Sequence, residues 1–267
     1  MKIIHFSDPH AGGGAEDWMA YFDKRWVGVF NYRFRRRFQH DLSKLEKAVE
    51  YILDVKPDAV VCTGDLTSSG QPGEFEKTKV VLEKLRNSNI PILYTPGNHD
   101  CYVKRPKCIK AVHDMVDYLS CGQYQFKDFP VKVHVKGIDF LLVNTSRPSN
   151  LLCSWGFLVK KDSQYLEDEC AKEHVYPRIM VSHYPLIDPH PILRFRHRLF
   201  GEKRALKLLN DKKIDVMLAG HVHSPRLTLD NTGRGECVAG SVTRNSIMFE
   251  INYDEEKNTF DFTEVKL

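Results

Sequence analysis

Seven side chains able to give a metal ion an oxygen or a nitrogen stand at the ends of five apolar runs. Asp8 and His10 follow Lys2-Ile3-Ile4-His5-Phe6, and Asp65 follows Ala59-Val60-Val61-Cys62-Thr63. Asn98 follows Ile90-Pro91-Ile92-Leu93-Tyr94, inside the block Thr95-Pro96-Gly97-Asn98-His99-Asp100. His183 follows Arg178-Ile179-Met180-Val181, and His221 and His223 follow Asp215-Val216-Met217-Leu218-Ala219. The set contains no thiolate, which suits borderline to hard divalent ions such as Mn, Fe or Zn. Any one block alone reads as an ordinary polar turn; its recurrence at five run ends is what points to chemistry.

One residue separates Asp8 from His10, a spacing that on a strand turns both side chains to one face, and His221 and His223 repeat it. A carboxylate such as Asp65 can bridge two ions with its two oxygens, which an imidazole cannot. Seven donors with one bridge give four protein ligands to each of two ions and leave positions open for water and substrate. Ions ~3.5–4 Å apart clamp the oxygens of a phosphoryl group and bring a bridging water to a pKa of ~7, so that hydroxide attacks in line. His99, next to the ligand Asn98 but with its own ring turned elsewhere, is the candidate acid. Protonated, it stabilises charge on the phosphoryl oxygens and passes a proton to the leaving group, with Asp100 a candidate to orient the ring. His5, His40, His113, His134, His174, His190 and His197 lack this context and read as hydrogen-bonded structural histidines.

The elements that carry these residues follow from periodicity. Residues 42–55, with Leu42, Leu45, Val49, Ile52 and Leu53 at helical spacing, and residues 74–87 are amphipathic crossover helices, making the first hundred residues β-α-β-α-β. Parallel strands bring their carboxyl ends to one sheet edge, so the tips can meet. Residues 106–120 read as a helix, 131–135 and 138–144 as a hairpin, and 156–172 as a turn leading into a helix. The stretches 236–240, 246–253 and 259–265 read as strands. Between two ligand tips, residues 184–200 carry Arg194, Arg196 and Arg198; they suit a phosphate-bearing substrate through forked contacts, or are solvated surface charge.

With 267 residues, 42% of them apolar, the chain can bury one large α/β core, and a single domain over 1–267 is expected. Seven cysteines at irregular spacing, without a Cys-x-x-Cys pair, suggest a reducing cytoplasm rather than a disulfide framework. The chain opens on a strand with no signal peptide ahead of it, and no apolar run approaches the ~20 residues of a membrane span. A cytoplasmic protein, at most peripheral at the inner face of the membrane, is expected. The net charge of +4 is mild, and no nucleic-acid duplex is expected as a partner.

Residues 12–41 form an insert of aromatic and basic character, with aromatics at 18, 22, 26, 30, 34 and 38. On one straight helix a step of four precesses around the barrel, so the segment reads as two helical pieces broken near Gly28. It reads first as a lid or dimer contact with buried aromatics and solvated arginines. The alternative is a membrane-surface or lipid-binding arm through residues 18–38.

Taken in order, Asp8-x-His10, Gly64-Asp65, Gly97-Asn98-His99-Asp100, His183 and Gly220-His221-x-His223 resemble the five blocks of the calcineurin-like metallophosphoesterase superfamily. The resemblance implies a four-layer α/β/β/α sandwich with two mixed sheets and two divalent metal ions at the strand ends. By motif position, Asp8, His10, Asp65 and His223 hold the first ion, Asp65, Asn98, His183 and His221 hold the second, and His99 is the catalytic histidine. The stretch from Gly64 to Gly70, with Gly156-x-Leu158 to Gln164-x-Leu166, is similar to the bacterial cyclic-nucleotide phosphodiesterase branch, which implies a phosphodiester or cyclic nucleotide substrate. The insert departs from that branch. It is similar to a bacterial subgroup with a Lys-Arg, Gly, Asn, Arg-Arg run, and in character it resembles the UDP-diacylglucosamine pyrophosphatases. A membrane-surface pyrophosphatase acting on a nucleotide-linked lipid is therefore the alternative. Pro9 also departs from the common pattern but offers no side-chain ligand. A non-catalytic binding module is the third reading; such members lack ligands, and none is lacking here.

Overall fold

A computed structural model describes residues 1–148, 153–173, 175–187 and 197–267. The first half runs β1 (Lys2–Phe6), α1 (Arg25–Phe34), α2 (Leu42–Val55), β2 (Ala59–Cys62), α3 (Pro72–Arg86), β3 (Ile92–Tyr94) and α4 (Pro106–Leu119). The second half runs β4 (Val131–Val135), β5 (Ile138–Leu142), β6 (Gly156–Phe157), α5 (Lys160–Ala171), β7 (Arg178–Val181) and β8 (Leu199–Phe200). It closes with α6 (Lys203–Asn210), β9 (Val216–Ala219), β10 (Arg226–Leu229), β11 (Gly235–Val238), α7 (Val242–Asn245), β12 (Ile247–Asp254) and β13 (Thr259–Lys266).

Apart from β6 and β8, which pair with each other in parallel, the strands form two mixed sheets rather than one edge. The first has the order β13-β12-β1-β2-β3, with β1, β2 and β3 parallel, as the β-α-β-α-β reading requires. The second has the order β10-β11-β9-β7-β5-β4, and β5, β7 and β9 are parallel within it. The expected meander of the last third is split: β11 joins the second sheet, while β12 returns antiparallel to β1. A run of apolar residues marks a buried strand but carries no record of which sheet takes it.

Alternation along the strands sorts side chains between layers. Phe140, Leu142, Ile179, Val181, Val216 and Leu218 share one core with Ile3, Ile4, Val60, Val61 and Leu93 of the first sheet, as well as with residues of α2, α3 and α4. Their neighbours Leu141, Met180 and Met217 face the other way, onto Leu166 of α5 and Leu209 of α6. The result is helix, sheet, sheet, helix. Each fully buried Leu, Ile, Val or Phe stabilises the fold by ~1.5–3 kcal/mol, and this core supports strained loops at the sheet ends.

The insert differs from its sequence reading in two ways. Helix α1 continues through Gly28 from Arg25 to Phe34, with short 3-10 turns at Trp18–Tyr21 and Arg36–Phe38. Gly28 is buried because a Cβ there would stand 2.7 Å from Ser69 Cβ, so its role is close packing on the 66–71 loop and not a helix break. The aromatics are also not buried: Trp18, Tyr21, Phe22, Trp26, Phe30, Phe34 and Phe38 are exposed, from 46% at Trp26 to 76% at Phe22. What anchors the insert is Arg25, buried and hydrogen-bonded to both Asp17 and Asp23 at 3.0 Å. Among the described residues no helix is long and apolar enough to cross a membrane, and all seven cysteines are free thiols.

Candidate metal centre

The five tips meet where the two sheets end side by side. Asp8, His10, Asp65 and His223 bring one ligand atom each to within 4.8 Å of one another, and Asp65, His183 and His221 do the same. Asn98 joins the second group through Oδ1, 3.1 Å from His183 Nε2. The two groups share Asp65.

The local geometry is not that of strand alternation. β1 ends at Phe6 and β9 at Ala219, and Asp8, His10, Asp65, His221 and His223 all have positive φ, between 51° and 70°. Each non-glycine residue held there costs ~1–3 kcal/mol, strain that clusters at functional sites. The Asp-x-His and His-x-His pairs converge because left-handed kinks turn them, not because a pleat does. Asp8 ties the sheets together: its Oδ2 accepts a hydrogen bond from the His221 backbone N–H at 3.0 Å. Asp65 Oδ1 likewise accepts from the His99 backbone N–H at 2.7 Å.

The imidazoles are set by their outer nitrogens. His10 Nδ1 donates to the Thr67 carbonyl (3.1 Å) and His183 Nδ1 to the Thr63 carbonyl (2.7 Å), which leaves each Nε2 facing the centre as a lone-pair donor. His10 Nε2 and His223 Nε2 lie 2.7 Å apart, and His10 Nε2 is 3.5 Å from Asp8 Oδ1 and 3.6 Å from Asp65 Oδ2. His221 turns Nδ1 towards His183 Nε2 at 3.2 Å. Asp8 Oδ1 is buried and accepts no hydrogen bond, although His223 Nε2 lies 3.2 Å away. Inward lone pairs and an orphaned carboxylate oxygen are what two divalent cations require, and this donor set fits them.

Electrostatics agree. Burial drives His10 and His221 well below the ordinary histidine value, towards the neutral form that ligates metals. Burial also opposes charge on His183, but the carboxylates of Asp65 and Asp8 outweigh it and raise that ring to about 9, so without an ion Nε2 keeps a proton that a bound cation would displace. Burial pushes Asp8 up, yet His223, His10 and His183 together hold it well below the usual carboxylate range.

His99 stands beside this centre, its ring 5.0 Å from that of His10. Asp100 does not orient it, as the sequence suggested. Both Asp100 oxygens are occupied by Thr67, Gly97 and Tyr94, so Asp100 fixes the loop instead. The ring is held by the Ser68 carbonyl, 2.7 Å from Nδ1, by stacking on Tyr102 at 5.1 Å, and by the Arg36 guanidinium. Desolvation first, and then Arg36, hold His99 well below its ordinary value, towards the neutral ring.

Around the centre lies a cleft of about 930 Å³, bounded on one side by the insert through Lys24, Asn31, Arg35, Arg36 and His40. His40 packs its ring 4.8 Å from that of His10 and is held by the Thr243 hydroxyl, 2.8 Å from Nδ1, in the structural role expected of it. Sequence reasoning missed two residues of the cleft. His197 Nδ1 reaches His221 Nε2 at 3.3 Å. Arg36 was undistinguished within Arg35-Arg36-Arg37, a run in which nothing local tells an inward residue from an outward one. Of the other histidines, His5 bonds to Thr63 and His134 to Asp139, as structural residues do. His174, His190, Arg194 and Arg196 lie outside the described residues, and Arg198 pairs with Glu202 at 3.8 Å.

Known proteins bear on this geometry. The chain is 27% identical over 231 residues to a probable cyclic nucleotide phosphodiesterase of Pseudoalteromonas sp., covering 84% of this chain and 72% of that one. It is 28% identical over 135 residues to the glycerophosphodiester phosphodiesterase GpdQ of Enterobacter lignolyticus, covering 49% and 42%. To a cAMP/cGMP dual specificity phosphodiesterase of Mycobacterium tuberculosis it is 22% identical over 222 residues, covering 83% and 61%. The chain thus spans less than two thirds of the length of the latter two. In fold, it superposes on a dimetal phosphatase from Danio rerio with a TM-score of 0.65 at 13% identity, covering 100% and 98% of the two chains. The signature of calcineurin-like phosphoesterases matches residues 1–225, the stretch that carries both donor groups, and the chain belongs to that family.

Proposed function

We propose that the protein hydrolyses a phosphodiester, with cyclic nucleotides as a candidate class, at a two-metal centre. Asp8, His10, Asp65 and His223 would hold one ion, and Asp65, Asn98, His183 and His221 the other. The observation that carries this reading is the pair of donor groups sharing Asp65. Two divalent ions, when bound, supply the positive charge that acidifies a water and neutralises phosphoryl oxygens. The chain's own residues do the rest. The Thr67 and Thr63 carbonyls fix the tautomers of His10 and His183, and the His99 backbone N–H aims Asp65. His99 and Arg36 line the cleft beside these donors. The relatives described as phosphodiesterases support a diester over a monoester.

The test is a substrate panel with Mn, Fe and Zn added singly. The diester bis-p-nitrophenyl phosphate is expected to outrun the monoester p-nitrophenyl phosphate. Equal or reversed rates reject the diesterase assignment.

One observation favours a second reading, a membrane-surface pyrophosphatase acting on a nucleotide-linked lipid. The insert that walls the cleft exposes seven aromatics, with Arg33, Arg35 and Arg37 exposed among them. Contiguous exposed aromatics with flanking cations suit the headgroup region of an anionic bilayer. Co-sedimentation with phosphatidylglycerol vesicles, lost on the double change Trp26→Ser and Phe30→Ser, is the expected result. Absence of binding by the unaltered protein rejects this reading and leaves the first untouched.

A further inference from the structure

The insert sends one guanidinium inward. Arg36 Nη1 lies 3.2 Å from His99 Nδ1 and 3.4 Å from the Ser68 carbonyl oxygen, while Nη2 lies 3.0 Å from His99 Nε2. Its backbone carbonyl accepts from the His40 N–H at 2.8 Å, which ties the turn to the wall of the cleft.

Of the other arginines enclosed by the fold, Arg25 pairs with Asp17 and Asp23, Arg226 with Glu236, and Arg234 with Asp215, while Arg178 donates to the Cys170 and Lys172 carbonyls, away from the donor groups. Among the described residues, Arg36 has no carboxylate within ion-pair distance, and its contacts are a ring and a carbonyl. A guanidinium offers five donors in a planar fork shaped for two oxygens of a carboxylate or phosphate, whereas a neutral imidazole offers one lone pair. Arg36 is therefore a half-buried cation that lacks its complement, held beside His99, whose ring is 5.0 Å from His10. The missing partner is an anion located next to the metal-ligating side chains.

We propose that Arg36 grips the phosphate of the substrate, donating two N–H groups to non-bridging oxygens and exchanging its contact with His99 for that anion. This rests on the phosphoesterase reading and adds to it a residue from outside the five sequence blocks. It also gives the insert a role in the reaction: one turn of it supplies a cation that the two sheets do not.

The test compares Arg36→Gln and Arg36→Lys with the unaltered protein, each loaded with Mn. Inorganic phosphate binding is measured by titration calorimetry, bis-p-nitrophenyl phosphate turnover by absorbance, and metal content by elemental analysis. Arg36→Gln is expected to keep its ions and melting temperature, to bind phosphate at least about tenfold more weakly, and to lose roughly 100-fold in kcat/KM, as when a charge-stabilising donor is removed. Arg36→Lys recovers part of both losses. Phosphate affinity equal to that of the unaltered protein overturns the proposal, and so does a loss fully explained by missing ions or a lowered melting temperature. If the unaltered protein turns over no ester, the phosphoesterase reading fails, while the phosphate titration still decides the role of Arg36.

Discussion

Gly97 is the position at which one methyl group should separate the fold from the centre it carries. A Cβ at Gly97 would lie 2.1 Å from Asp65 Oδ1 and 2.3 Å from the Asp65 backbone nitrogen. Ordinary contact begins at 3.4 Å, so the Asp65 loop and the Gly97 loop must part by about 1 Å. Rotating the Asp65 side chain cannot relieve this, because one of the contacts is with backbone. That backbone is in turn held by the His10 N–H donating to the Asp65 carbonyl at 2.9 Å. Overpacking of this kind costs ~1–3 kcal/mol. Against a typical stability of ~5–15 kcal/mol the fold survives Gly97→Ala, with a melting temperature lower by roughly 2–12 °C. A ligand misplaced by ~1 Å costs on the order of 100-fold in rate. The variant is therefore expected to keep its far-ultraviolet circular dichroism, to bind fewer than two ions by elemental analysis, and to lose about 100-fold in bis-p-nitrophenyl phosphate turnover. Gly14→Ala, where a Cβ meets nothing within 4 Å, is the control. A Gly97→Ala protein with two ions and unaltered turnover would refute the reasoning.

Three further outcomes are expected. His99→Ala should retain both ions and lose turnover, and full activity in that variant removes His99 from the reaction. Burial raises Glu74 to about 7, so between its ordinary 4.5 and 7 the native state holds a proton that the unfolded chain has released. Stability therefore falls as pH rises through that window, by up to about 3 kcal/mol. Glu74→Gln should flatten this limb in urea unfolding at pH 4.5 and 7.5; an unchanged slope assigns the pH dependence elsewhere. Arg25→Ala leaves Asp17 and Asp23 without their buried partner, so cleavage within residues 12–41 by limited proteolysis should accelerate at least about tenfold, the equivalent of ~1.4 kcal/mol. Equal cleavage rates would mean that the insert is anchored by other contacts.

Much of this was legible in the sequence because apolar runs and the polar tips that follow them are local patterns. β1, β2, β7 and β9 begin and end within a residue of their apolar runs, and α2 and α4 match their helical spacing. The ligand blocks were visible for the same reason: each is a short string beside a strand. The division of the tips between two sheets was not, since pairing partners lie far apart along the chain, as β12 returning to β1 illustrates. Nor could the spacing of Asp8 and His10 reveal that positive φ turns them inward. Gly28 looked like a helix breaker because glycine usually is one, whereas Ser69 against it gives the actual reason for its size. Arg36 differs from Arg35 and Arg37 only in the direction it points, which a turn following α1 decides.

The most direct test of the account is anomalous diffraction from crystals grown with Mn. It predicts two Mn peaks ~3.5–4 Å apart, with the Asp65 carboxylate reaching both. A single peak, or two peaks with Asp65 bound to only one of them, contradicts it.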